Sequence, residues 1–253
     1  MPDSSFSDHF STHAAGYAAH RPTYPAALVD YLADVAPGRQ LVLDCGCGTG
    51  QLSVPLAGRF DCVVATDASA AQIANADPHA RVEYRVAPAE QSGLLDATAD
   101  LITVAQAAHW LDLDRFYAEA KRVARPRGVL ALITYGVLHV EGKEVDDVTQ
   151  RFYYDVIGPY WPPERRHVDA GYRTLAFPFE ELTAPPLVIQ VSWSLSDLIG
   201  YVDTWSAVRE AEKLIGREPL DAFDQALAAV WGNPERCRAV TWPISIRVGN
   251  VSG

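Results

Sequence analysis

Apolar positions along the chain gather into short unbroken runs, separated by stretches with helical spacing. "QLVLD" (40–44), "CVVATD" (62–67), "VEYRV" (82–86), "DLITVA" (100–105) and "VLALITY" (129–135) predict five strands. "TYPAALVDYLADVAPG" (23–38) predicts a helix, with Thr23 as cap, Pro25 in the first turn and Pro37-Gly38 as its end. "QLSVPLAGR" (51–59) and "ASAAQIANA" (68–76) predict two more, the first limited by Pro55. "DRFYAEAKRVARPRG" (114–128) places Phe116, Tyr117, Ala120, Val123 and Ala124 on one helical face, with Pro126 and Gly128 as a stop.

This alternation predicts a parallel sheet with helices on both faces, and the continuous apolar runs fit strands buried on both sides. Ligands in such sheets sit beyond the carboxyl ends of the strands, where strand order reverses. Asp44, Asp67 and Ala105 stand at those ends.

After Tyr135 the rhythm breaks. Residues 136–186 are rich in aromatics and proline, and are expected to form an insertion covering the ligand edge. "PLVIQVSWS" (186–194) and "VTWPISIRVGNV" (240–251) predict two further strands, with helices between them such as "PLDAFDQALAAVWG" (219–232). At 253 residues the chain fits a single domain, with a core of about 25–135 plus 186–251 and an insertion of about 136–186.

The net charge of −11 argues against nucleic acid and anionic membrane as partners, because phosphate backbones are gripped mainly by Lys and Arg. The first residues show no secretory leader, and no apolar run approaches the ~20 residues of a membrane span. Cys45, Cys47, Cys62 and Cys237 do not make a zinc set and read as thiols in a reducing cytoplasm.

"LDCGCGTGQ" (43–51) carries the candidate chemistry. Its glycines, Gly46, Gly48 and Gly50, let backbone approach a ligand. A dinucleotide fingerprint needs glycine where Gln51 stands, and a phosphate loop needs a Gly-Lys-Ser or Gly-Lys-Thr that is absent. Asp67, at the next strand end, suits a ribose diol. Asp44 favours a cationic amino group. A ribose and an amine without a phosphate anchor suggest an amino-acid nucleoside such as S-adenosylmethionine.

"LDCGCGTGQ", "ATDAS", "APAEQSGL", "DLITVAQAAHW" and "RVARPRGVLAL" together resemble the successive motifs of class I S-adenosylmethionine-dependent methyltransferases, over roughly residues 20–135. "YAAHRPTYP", "AQAAHW" and "WPISIRVG" are similar to the small-molecule group that includes trans-aconitate methyltransferase. The resemblance implies a Rossmann-like sheet of seven strands, the last antiparallel, under an N-terminal cover. It implies that Gly46, Gly48 and Gly50 approach the methionine and ribose, and that Asp67 takes the ribose hydroxyls. Ala68 then packs on the adenine, with Ala89 and Glu90 at its edge. Ala105 and Gln106 lie beneath the methyl group, and Arg21 pairs with the methionine carboxylate. Pro88 replaces the Asp that many relatives carry before the Ala-Glu pair.

Methyl transfer from a sulfonium is an in-line displacement that rests on alignment and exclusion of water. A carboxylate acceptor needs no base, whereas a phenol, alcohol or amine can use one, and His109 and His167 are the candidates. Tyr160, Trp161, Arg165 and Arg166 in the insertion, with Trp110 and Trp205, are the candidate acceptor residues. Aromatics make apolar walls, and Arg can clamp a carboxylate. The expected function is S-adenosylmethionine-dependent, metal-free methylation of a small molecule at oxygen. The rivals are a protein or tRNA methyltransferase and a non-catalytic protein that binds the cofactor.

Overall fold

A computed structural model describes residues 22–251. Arg21 and almost all of the expected N-terminal cover lie outside the described residues. The sheet contains β1 (Leu41–Cys45), β2 (Cys62–Asp67), β3 (Val82–Val86), β4 (Ala99–Ala105), β5 (Ala124–Tyr135), β6 (His139–Val140), β7 (Glu180–Glu181), β8 (Leu187–Trp193) and β9 (Arg238–Asn250). Their order is β3-β2-β1-β4-β5-β9, with β8 on the far side of β9. β1 to β5 pair in parallel, and β9 runs antiparallel to both β5 and β8. β6 and β7, two residues each, add short pairings to β9. The seven long strands thus match the expected Rossmann-like sheet. Its order reverses at β1/β4, which puts a crevice there.

The helices are α1 (Ala26–Val35), α2 (Ser53–Leu56), α3 (Ala70–Ala74), α4 (Leu113–Val123), α5 (Lys143–Arg151), α6 (Arg165–Asp169), α7 (Leu195–Val202), α8 (Ser206–Ile215) and α9 (Glu218–Trp231). Pro25, not Thr23, stands at the N-cap of α1. Pro55 lacks an amide hydrogen, and α2 is held to one turn. The predicted helix through Gly128 stops at Val123, and Ala124 is already strand. Register shifts between Ala99 and Leu101, and Arg127 takes a left-handed φ of 65°. "RPRG" is therefore a bulge that starts β5, as a proline in a strand favours.

Two apolar clusters cover the two faces. The first joins α1, β1, Phe152, Tyr153, Ile157 and the C-terminal helices down to Trp231 and Trp242. The second joins Leu43, Val104, Phe116, Leu132, Val168 and Tyr172. The insertion belongs to both. Its first part packs with α9, where the Phe152 and Phe223 rings stack at 4.1 Å. Its last part lies on the opposite face. Between them the chain crosses over the carboxyl edge of the sheet.

Candidate active site

A cavity of about 950 Å³ opens at the carboxyl ends of β1, β2, β4 and β5. The loops that follow these strands converge there because parallel strands all end on one edge. Asp44, Gly46, Gly48, Asp67, Ala68, Ala89, Glu90, Ala105, Gln106 and Trp110 all line it, as do Tyr24, Tyr135 and the crossing segment Pro162, Pro163 and Glu164.

The glycine loop answers to more than one demand. A Cβ on Gly46 would stand 2.6 Å from that of Ala107, and one on Gly50 would collide with the Tyr84 hydroxyl oxygen. Both have positive φ. The fold itself therefore requires glycine at these two positions. Gly48 faces the cavity, whereas Gly50 does not line it.

Asp67 ties this loop down. Its Oδ2 accepts the Gly48 amide at 2.9 Å and its Oδ1 accepts the Ser69 amide at 2.8 Å. Each carboxylate oxygen retains a lone pair for a ligand hydroxyl. Ala68, Ala87, Pro88 and Ala89 form an apolar slot beside it. Glu90 Oε1 accepts the Asp112 amide at 3.0 Å, which joins the loop after β3 to the start of α4.

Asp44 is 1 % exposed. Its Oδ2 accepts the Ser53 hydroxyl at 2.6 Å and its Oδ1 that of Thr103 at 2.7 Å. Burial pushes its pKa up to about 6, the two hydroxyls restrain the rise, and the Asp67 charge adds to it. A cation arriving in the cavity favours the ionised form.

Gln106 adopts φ +58°, rare for a residue with a side chain. Its Nε2 donates to the Tyr135 carbonyl at 3.3 Å, and its Oε1 accepts the Thr134 hydroxyl at 2.6 Å.

Several expected acceptor residues stand elsewhere. His109 turns away from the cavity, with Nδ1 2.9 Å from the Tyr172 hydroxyl oxygen. Burial, then the charges of Arg165 and His167, lower its pKa to about 3. Such a weak base is poorly matched to taking a proton at neutral pH. Trp161 and Trp205 belong to an aromatic cluster with Tyr153, with ring centroids 5.2 to 5.9 Å apart. Tyr160 packs against the same core. Arg165 Nε lies 2.8 Å from the Tyr153 hydroxyl oxygen and 3.2 Å from Asp169 Oδ1, with its guanidinium 4.7 Å from the Trp161 ring centre. Arg166 contacts His167. Trp161, Arg165 and Arg166 instead line a separate open groove that meets the main cavity at Pro162 and Pro163. His167 is occupied with the Thr174 hydroxyl at 2.7 Å.

Sequence reasoning missed Tyr24, Tyr135, Pro162, Pro163 and Glu164. Glu164 sits beside the two arginines that drew attention and carries the opposite charge. The aromatic content of the insertion and of Tyr135 at the end of β5 was visible, but nothing local fixed which rings face the cavity. Among the described residues no cluster of His, Cys, Asp and Glu is arranged to hold a metal ion.

A family model described as a methyltransferase domain matches residues 43–132. A Dictyostelium discoideum protein assigned as a methyltransferase is 36% identical over 225 residues, covering 88% of this chain and 86% of that protein. A Saccharomyces cerevisiae protein assigned as an S-adenosylmethionine-dependent methyltransferase is 25% identical over 186 residues, covering 68% of this chain and 63% of that one. The structure of an Anaeromyxobacter dehalogenans protein, assigned as a type II methyltransferase, superposes with a TM-score of 0.88 at 52% identity, covering 92% of this chain and 98% of that one.

Proposed function

The chain belongs to the class I S-adenosylmethionine-dependent methyltransferases, and from that premise we propose that it methylates a small molecule at oxygen. The observation that carries the acceptor class is the cavity itself. At about 950 Å³ it lies near the top of the range of small-molecule sites and has room for the cofactor and a compact acceptor together. Pro162, Pro163 and Glu164 of the insertion line it as well, which favours a compact acceptor over an extended polymer. The net charge of −11 also disfavours tRNA. The likeness of "AQAAHW" and "WPISIRVG" to the small-molecule group points the same way.

The residues at the cavity suit the cofactor. Asp67 has acceptor capacity left for the ribose hydroxyls, Ala68 and Ala89 flank the adenine, and Asp44 favours the ammonium group. Gly46 and Gly48 bring backbone close to the methionine portion, with Ala105 and Gln106 below it. S-adenosylmethionine supplies an activated methyl on a sulfonium. The protein holds the two reactants in line and keeps water out.

The acceptor meets Tyr24, Trp110, Tyr135, Pro162, Pro163 and Glu164. This replaces the arginine clamp, because Arg165 is engaged with Asp169 and Tyr153 and does not line the cavity. Aromatic walls suit a compact planar acceptor, with Glu164 and Arg115 as the charged groups that could meet its hydroxyl or carboxylate. Free thiols at Cys45, Cys47, Cys62 and Cys237 support a reducing, cytoplasmic setting. Among the described residues no helix is long and apolar enough to cross a membrane.

The test is a labelled-methyl screen over phenols, alcohols, carboxylic acids and amines, with bulk tRNA and protein as further arms. A small hydroxyl compound as best acceptor supports the reading. Label entering only protein or tRNA overturns it.

A further inference from the structure

A fully buried hydroxyl inside a strand calls for an explanation, because an apolar residue of similar size packs there without the cost of a polar group. Thr103 is such a residue. Its neighbours on the same face of β4, Leu101 and Ala105, are apolar. The parallel register sets Thr103 directly beside Asp44 on β1, and its hydroxyl donates to Asp44 Oδ1 at 2.7 Å. Ser53, the first residue of α2, is equally buried and donates to Oδ2 at 2.6 Å. An ionised carboxylate only accepts, so each hydroxyl commits its one proton to it. Each oxygen of Asp44 keeps a lone pair, and the residue lines the cavity.

The rest of the surroundings oppose a charge on Asp44. Burial does so most, and the Asp67 carboxylate at the end of β2 adds to it. The Cys45 and Cys47 thiols and the Tyr84 phenol on β3 supply no countercharge, since burial raises all three above their ordinary values. Among the described residues, the two hydroxyls are the groups that favour the ionised form. Protonation of Asp44 would turn one carboxyl oxygen into a donor aimed at a hydroxyl that is itself donating.

We propose that Ser53 and Thr103 are positioning residues of the cofactor site: their paired hydroxyls hold the Asp44 carboxylate ionised in its buried seat, with its remaining lone pairs left for the ammonium group of the cofactor. The two donors come from different elements, one from the strand beside Asp44 and one from the helix after the glycine loop, so the seat forms only when β1, β4 and α2 are assembled. The inference rests on the cofactor reading above, but its first test does not need the cofactor.

Carbon-13 NMR of the aspartate carboxyls follows Asp44 in the cofactor-free protein, with the signal assigned by its loss in Asp44→Asn. The titration midpoint should climb by about one pH unit in Thr103→Val and in Ser53→Ala, each of which removes one donor to the charged form. Thr103→Ser keeps the hydroxyl and should keep the parent midpoint. Calorimetry with S-adenosylhomocysteine, which carries the same ammonium group, then tests the consequence. Thr103→Val should bind it about threefold more weakly than the parent at about pH 6.5, and nearly as well at about pH 8.5, where Asp44 is ionised in both proteins. The ratio of variant to parent affinity cancels the ligand's own titration. A packing defect would weaken binding by the same factor at both pH values, and that result overturns the proposal. So does a midpoint that stays at the parent value in both Thr103→Val and Ser53→Ala. Should Thr103→Val fail to fold, Ser53→Ala decides in the same way. If the midpoint moves as expected but the parent protein binds no S-adenosylhomocysteine, the cofactor reading fails, and with it the positioning role.

Discussion

Asp67 Oδ2 accepts the Gly48 amide at 2.9 Å, so the acid at the end of β2 shapes the glycine loop at the end of β1. One carboxylate serves the loop and faces the cavity at once. Asp67→Ala should weaken S-adenosylhomocysteine binding by more than about tenfold, or ~1.4 kcal/mol, since charge-assisted hydrogen bonds are lost. Titration calorimetry measures it, with NAD as a ligand expected not to bind. Unchanged affinity in a folded variant removes Asp67 from the site.

Asp44 makes stability depend on pH in a stated direction. Its folded pKa, about 6, is above the ordinary 3.8. The folded state therefore binds more protons between these values, and stability falls as pH rises through them. Above pH 6 the cost is on the order of 3 kcal/mol from this one group. Asp44→Asn should raise the Tm of the cofactor-free protein at neutral pH and flatten its pH profile between about 4 and 6, while reducing S-adenosylmethionine affinity. A melting series with and without cofactor separates the two effects. A lower Tm at neutral pH would count against the buried-charge account.

His109 should leave no mark on the pH profile. With a pKa near 3, it is neutral throughout the range in which imidazoles usually titrate. Methylation of the best acceptor from the screen should show no inflection near pH ~6.5 that disappears in His109→Gln. Such an inflection would restore His109 as a base.

Arg165 and Glu164 are neighbours with opposite expected effects. Arg165→Ala removes a guanidinium stacked on Trp161 and paired with Asp169, and should destabilise the fold by about 1–2 kcal/mol. Cofactor affinity and the acceptor KM should hardly change. Glu164→Gln should leave Tm nearly unchanged and shift the acceptor KM severalfold. Denaturation and steady-state kinetics on the same two variants decide. An acceptor KM raised only by Arg165→Ala returns the clamp to the site.

The strands and the part of the cavity formed by the loops after them were legible in the sequence for a shared reason. Strands buried on both faces show as unbroken apolar runs, and the residues after each strand arrive at one edge by topology alone. Asp44, Asp67 and Ala105 could thus be placed from their positions at strand ends, while Gly48, Ala89 and Gln106 came with the family resemblance; all six line the cavity. The part of the cavity lined by the insertion follows no such rule. Trp161 and Trp205 have the composition of either a pocket wall or a core, and only packing with Tyr153 decides for the core. Arg165 looked like an anion clamp because its partner Asp169, one turn along α6, satisfies it only once that helix forms. "RPRG" read as a helix end because basic residues and proline mark both a C-terminus and a bulge. Tyr172 carried no signal, since its partner His109 is far away in sequence.

The insertion crosses from one face of the sheet to the other, with Phe152 and Tyr153 rooted on one side and Val168 and Tyr172 on the other. A span footed at both ends separates two evolutionary demands. The footings answer to folding, and substitutions there carry the penalties of any core. Pro162, Pro163 and Glu164 at mid-span line the cavity and carry no part of either core. Side chains at mid-span can therefore be exchanged, and the cavity reshaped, while both abutments stay as they are.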